Sequence, residues 1–257
     1  MFPDDVTVNG DLTVDTDTLV VDAANNRVGI GTASPAAASL QIKKDTASTT
    51  NELLRLSNGA GSTTDGVKLV MEIANTSGNG GEIGTVRDGG SFNPYMYFST
   101  SAGVGSSPVE RLRIDGSGRV TMPYQPAFYA FGTGGWTSMT NVHVNPVHNN
   151  AVFNVGNHYN TSTGVFTAPV SGVYYFSTGA YMGANTGYNR IDIRSTPGLY
   201  HYKIIPASAA SADHTETLTG VIKLAANDTV YPTLQSDQSN SYYRAQNHAW
   251  FEGYLLG

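Results

Sequence analysis

Apolar residues in this chain come in short alternating runs, broken every few residues by Gly, Asn, Asp or Ser, and that rhythm points to an all-β fold. Val6-Thr7-Val8 and Leu12-Thr13-Val14 flank Asn9-Gly10, a pair that suits a two-residue hairpin turn because both residues tolerate positive φ. Further runs cover 19–22, 27–30, 40–42, 52–56, 67–73, 83–87, 95–99, 110–114 and 119–122. Leu53, Leu54 and Leu56 begin a helical period, but Asn58-Gly59 cuts it short. The composition agrees, with 29 Gly and 28 Thr among 257 residues.

Several function classes fall away at once. The chain has no Cys, so it has no disulfide framework, thiol nucleophile or cysteine-held metal. Its apolar runs are far shorter than the ~20 residues a membrane helix needs. Asp4 and Asp5 stand where a secretory signal would carry basic residues. A net charge of −6 argues against binding nucleic acid, which calls for clustered Lys and Arg. At 40% hydrophobic and 13% charged, the chain has the profile of a folded protein.

Composition shifts near residue 123. Residues 123–257 hold 21 of the 26 aromatic residues and all six His. Residues 1–122 carry 9 of the 14 basic and 14 of the 20 acidic residues, a net charge of 9 − 14 = −5. The expected domains are therefore 1–122 and 123–257. A repeat marks the first: Leu19-Val-Val-Asp22 leads to Arg27-Val-Gly-Ile30, and Leu112-Arg-Ile-Asp115 leads to Arg119-Val-Thr-Met122. Both read as strand, tight turn and return strand opened by Arg, a reused building block. Short strands with few large side chains suit three chains wound into a β-stalk, each covering its neighbours' edges. A lone sandwich is the competing reading.

The segment Leu19-Val-Val-Asp-Ala-Ala-Asn-Asn-Arg-Val-Gly-Ile-Gly-Thr-Ala-Ser-Pro35 resembles one that recurs in bacteriophage tail-fibre and other virion-fibre proteins, and Glu110–Val120 resembles a companion that closes such stalks. Bacterial surface fibres and adhesins share the motif. Such stalks often end in a self-cleaving chaperone, and nothing after Val120 looks like one. Instead, Asn154, Tyr159, Phe166, Gly172, Tyr174 and Phe176 fall in register on the pattern of the globular head of complement subcomponent q. His148 and Thr178 stand where that pattern has aromatics. Residues 126–130 resemble the family's first strand and 250–256 its last. The resemblance implies a jelly-roll β-sandwich, a homotrimer about a three-fold axis, and a role in binding. The motif aromatics read as sandwich interior, which identifies a fold and leaves the site open.

Sequence signatures of enzymes are scarce: there is no Gly-x-Ser-x-Gly elbow, P-loop, dinucleotide fingerprint or His-Glu-x-x-His. Gly116-Ser117-Gly118 reads as a turn. The expected catalytic set is empty, and no cofactor is expected. His143 and His148 flank Asn-Pro, and three copies at a trimer axis would surround a divalent ion, although no clustered acid supports such a site. Three loops place aromatics beside polar residues: 132–138 with Trp136; 183–190 with Tyr188 and Arg190; 235–244 with Asp237, Tyr242, Tyr243 and Arg244. Aromatic faces stack on sugar rings while Asn, Asp, Gln and Arg bond hydroxyls, so these residues are the candidate ligand contacts. Solvated turns are the bland alternative.

The expectation is a trimeric virion fibre, attached to other virion proteins through its N-terminus and binding host surface glycan or protein through its head, with no nucleic-acid or membrane partner. The same build on the capsid as a head fibre or decoration protein is the second reading. A glycan-degrading tailspike and a secreted lectin-like protein are the others.

Overall fold

A computed structural model of the chain describes residues 8–15, 18–35, 39–44, 50, 52–58, 65–73, 80–89, 93–103, 105–139, 143–183, 188–196, 198, 200–205, 214–237 and 241–257. The protein is all-β, and the described residues include no helix. Nine strands precede residue 123: β1 (Leu12–Val14), β2 (Leu19–Asp22), β3 (Arg27–Ile30), β4 (Leu40–Ile42), β5 (Gly66–Glu72), β6 (Gly80–Arg87), β7 (Pro94–Thr100), β8 (Val109–Ile114) and β9 (Val120–Thr121). Eleven follow: β10 (Ala127–Phe131), β11 (Trp136–Ser138), β12 (Asn150–Val155), β13 (Tyr159–Asn160), β14 (Val165–Thr167), β15 (Gly172–Gly183), β16 (Asn189–Ser195), β17 (Tyr200–Ile205), β18 (His214–Leu224), β19 (Thr229–Ser236) and β20 (Tyr242–Leu255).

Two compact units divide the chain, residues 1–69 with 84–94 and residues 70–83 with 95–257. The order β1-β2-β3-β4 makes one sheet, and β5 to β9 follow one another in another. Val6 and Thr7 of the first expected hairpin lie outside the described residues, and β1 pairs with β2. The strand expected over 52–56 does not form in the described part of that segment. Its run of Leu53, Leu54 and Leu56 does not alternate, so it offers a sheet no consistent apolar face.

Both copies of the repeat close in the same way. Asp22 Oδ1 accepts the Asn25 N–H at 3.1 Å, and Asn26 takes φ 54°. Asp115 Oδ1 accepts the N–H groups of Ser117 and Arg119 at 2.9 and 3.0 Å, and Gly118 takes φ 80°. In each, a carboxylate at the strand end ties down the turn, and a left-handed Asn or Gly reverses the chain. Gly116-Ser117-Gly118 is thus turn chemistry.

Residues after 126 form a jelly-roll sandwich of two sheets. One runs β12-β10-β20-β15-β18, with β11 also on β20; the other runs β13-β14-β19-β16-β17. Between them, Phe128, Tyr159, Phe166, Tyr174, Phe176 and Phe251 form a buried aromatic cluster with Ile193 and Val230. Phe128 stacks on Tyr159 at 4.6 Å and meets Phe251 edge-on at 5.0 Å. A second buried cluster holds Met139, Met182, Ile191, Leu234 and Tyr243. Buried hydroxyls are satisfied: Tyr159 Oη donates to the His148 carbonyl at 3.0 Å, and Tyr174 Oη to that of Val170 at 2.8 Å. Asn154 clips β13 through both ends of its amide, donating to the Tyr159 carbonyl at 2.7 Å and accepting its N–H at 3.2 Å.

Candidate functional site

Ala127 opens β10 opposite Tyr254 near the end of β20. The last residues of β10, β15 and β19, and the first of β16 and β20, therefore gather at the far end of the sandwich. Gly183 pairs with Tyr242, and Asn189 with Ser236. A Ser236–Ser241 hydroxyl contact of 2.6 Å links the two sheets there. The three segments read as loops are partly strand, with Trp136 on β11, Arg190 on β16 and Tyr242, Tyr243 and Arg244 on β20; residues 184–187 and 238–240 lie outside the described residues.

Cross-strand register builds an aromatic and cationic row on the outer face of the first sheet. Arg244 pairs with Trp136 on one side and with Tyr181 on the other. Trp136, 53% exposed, meets Tyr242 edge-on at 4.7 Å, and the Arg244 guanidinium lies 5.6 Å from its ring centre. Tyr181 lies 5.7 Å from Trp136 and edge-on to His248 at 5.6 Å. This row depends on a wide bulge. Pairing jumps from Ala180–Ala249 to Tyr181–Arg244, so residues 245–248 leave the ladder. The loop carrying Gly132 caps them, with the Asn247 N–H donating to the Gly132 carbonyl at 3.0 Å and Asn247 at φ 56°.

The other candidates have different surroundings. Asp237 Oδ1 accepts the Tyr188 N–H at 2.7 Å, and Ser236 donates to the Tyr188 carbonyl at 3.0 Å, so Asp237 and Tyr188 fasten two apical loops together. Tyr243 corrects the sequence reading. Alternation along β20 turns it inward between half-buried neighbours, and it is 5% exposed in the second cluster, out of reach of a ligand. Burial raises its phenol pKa.

Arg190 stands away from the Trp136 row, on the outer face of the second sheet. Its Nε donates to Asp192 Oδ1 at 2.6 Å. Asp192 also accepts Arg194 Nε and Nη2 at 3.2 and 3.1 Å and the Thr233 hydroxyl at 2.9 Å, and it is wholly buried. His143 Nδ1 lies 3.4 Å from Asp192 Oδ2, and Arg194 Nη2 contacts the same ring. Burial first, then Arg194, holds the His143 pKa below its usual value, with Asp192 opposing. Sequence reasoning missed this cluster. Its signal was present: Arg190-Ile-Asp192-Ile-Arg194 alternates charged and apolar residues, which is strand periodicity with ions on one face.

The two His raised as axial metal ligands do not share a setting. His148 is 1% exposed inside the aromatic core, 6.4 Å from Phe251, with both ring nitrogens unpaired. Its position in the motif calls for an aromatic, and the ring fills that place. Burial drives its pKa down to about 3. Thr178 is also buried, donating to the Trp250 carbonyl at 2.8 Å.

The model of the C1q domain family matches residues 127–256, which is the sandwich just described. The chain belongs to the C1q-domain family. Mouse collagen alpha-1(X) chain is 27% identical over 108 residues, covering 41% of this chain; the match spans 15% of that relative's length. Among solved structures, the globular domain of zebrafish complement 1qA protein is 22% identical and covers 52% of this chain and 98% of its own, at a TM-score of 0.42. Murine APRIL is 11% identical and covers 51% and 99%, at 0.41. Eiger TNF from S. frugiperda is 12% identical and covers 52% and 93%, at 0.37.

Proposed function

We propose that this chain is a trimeric adhesive fibre of a bacteriophage virion, in which residues 1–122 form a stalk joined to other virion proteins at its start and residues 123–257 form a head that grips the host surface. The observation that carries the trimer is the outer face of the first sheet. Val221, Tyr175 and Tyr254 sit side by side in register, followed by Thr219, Ser177, Glu252, Tyr129 and Phe153. Phe153 and Tyr254 are 48% and 45% exposed in a single chain, beside a hollow of about 280 Å³ lined by Tyr129, Phe131, Asn247 and Trp250. An apolar sheet face of this kind is what neighbouring copies cover. Leu69, Val70 and Met71 are likewise exposed along β5.

Adhesion rests on the row of Trp136, Arg244, Tyr181 and Tyr242, which lies at the apical end of that face, six residues along β15 from the Tyr175–Tyr254 pair. Ring faces and a guanidinium at the tip, tripled by symmetry, make weak sugar contacts add up through effective concentration. The test measures binding of the labelled full chain to a panel of bacterial strains, with particles labelled at residue 257 imaged to locate the head on the virion. Saturable binding is expected to at least one strain, and Trp136→Ala with Arg244→Ala should weaken it at least tenfold without changing mass or melting. Wild-type binding by the double variant would overturn the apical assignment.

A further inference from the structure

The outer face of the second sheet carries a feature that adhesion through the Trp136 row does not use. Two guanidiniums converge on one carboxylate: Arg190 and Arg194 flank Asp192 at two-residue steps, so alternation puts all three on one face. Asp192 has no contact with solvent, whereas the side chains of Arg190, Arg194 and His143 remain 21%, 31% and 33% exposed. The carboxylate therefore works from below, fixing the direction of two cations whose other edges reach the surface. With His143 neutral, the cluster carries 2 − 1 = +1 on a chain of net charge −6. Tyr202, paired across the sheet from Asp192, is 54% exposed, with the Arg190 guanidinium 4.6 Å from its ring centre.

A buried ion cluster of this kind is a poor way to gain stability, because desolvating three charges cancels much of their attraction. It is a good way to hold guanidiniums still. Fixed, outward-facing Arg groups are preorganised for a planar oxyanion, and an adjacent Tyr offers a ring for a sugar to lie against.

We propose that Arg190, Arg194 and His143, oriented by Asp192 and bordered by Tyr202, form a binding site for the carboxylate of an acidic polysaccharide. This names the ligand class for the adhesive reading and rests on it. The second sheet takes no part in the Tyr175–Tyr254 contact, so the site stays accessible when copies pack there.

The experiment titrates the full chain by calorimetry with trigalacturonate and with neutral galactotriose, at low and moderate salt. The acidic sugar should bind at least tenfold more tightly than the neutral one, and added salt should weaken it. Arg194→Gln should abolish that preference. Asp192→Asn separates positioning from charge: it adds positive charge, so a purely electrostatic patch binds the acid more tightly, whereas a positioned site binds it at least fivefold more weakly. Arg194 lies at the surface and carries the test if Asp192→Asn does not fold. Equal affinity for both sugars, or wild-type affinity in Arg194→Gln, would overturn the site. Failure here with saturable cell binding intact would leave the adhesive reading standing.

Discussion

His148 shows how a single residue sets the behaviour of a core. Its ring occupies an aromatic position 6.4 Å from Phe251, with no hydrogen-bond partner for either nitrogen. The folded pKa is about 3 and the unfolded value is near 6.5. Below pH 6.5 the unfolded chain therefore binds the proton that the folded chain refuses. Stability falls as pH drops through that window, by about 1.4 kcal/mol for each pH unit crossed and a few kcal/mol in all. Thermal melts should show a steep loss between pH 6.5 and 4 that His148→Phe flattens; an unchanged slope in that variant would contradict the burial of the ring. The sequence marked this position as a departure from the family pattern. It did not show that the imidazole would be sealed, because sealing depends on Phe251, about a hundred residues further along the chain. Tyr243 is misread from sequence for a related reason: side-by-side tyrosines on a strand must face opposite ways, and the choice between them lies in the register.

Single elements carry the next level. β15 and β20 run the length of the first sheet, and their one large irregularity, the bulge at residues 245–248, turns Arg244 toward Trp136. Beside it, Gly179 makes room for the Trp250 indole; a Cβ there would sit 2.1 Å from a ring carbon. Gly179→Val should displace Trp250 and cost about 1–3 kcal/mol, the usual cost of overpacking. Urea unfolding followed by Trp fluorescence reads both effects, and wild-type stability with an unmoved emission maximum would refute the contact. Most strands of the first half were legible from alternation and turn residues, whereas much of the second half, read as loops at 132–138, 183–190 and 235–244, is strand. The bulge was not legible, since residues 245–248 leave the β15 ladder where they hydrogen-bond the distant segment at Gly132 and Gly135. The Asp192 cluster went unread because His143, Thr233 and Tyr202 reach Arg190-Ile-Asp192-Ile-Arg194 from three other segments.

At the scale of the whole molecule, the sandwich was legible from a handful of spaced aromatics, and the sheet order from almost nothing, since β10, β15 and β20 meet from opposite ends of the head. What the sheet pairing exposes is the apolar row of Tyr175, Tyr254 and Val221, with Tyr129 and Phe153 beside it. If three chains close over that face, Tyr175→Lys with Tyr254→Lys should part the heads and lower the melting temperature while leaving each head folded, because both rings point away from the core. The deciding measurement is the native mass of the unmodified chain at micromolar concentration. A trimer gives three times 27.2 kDa; a wild-type mass of one chain, with native circular dichroism, would contradict it.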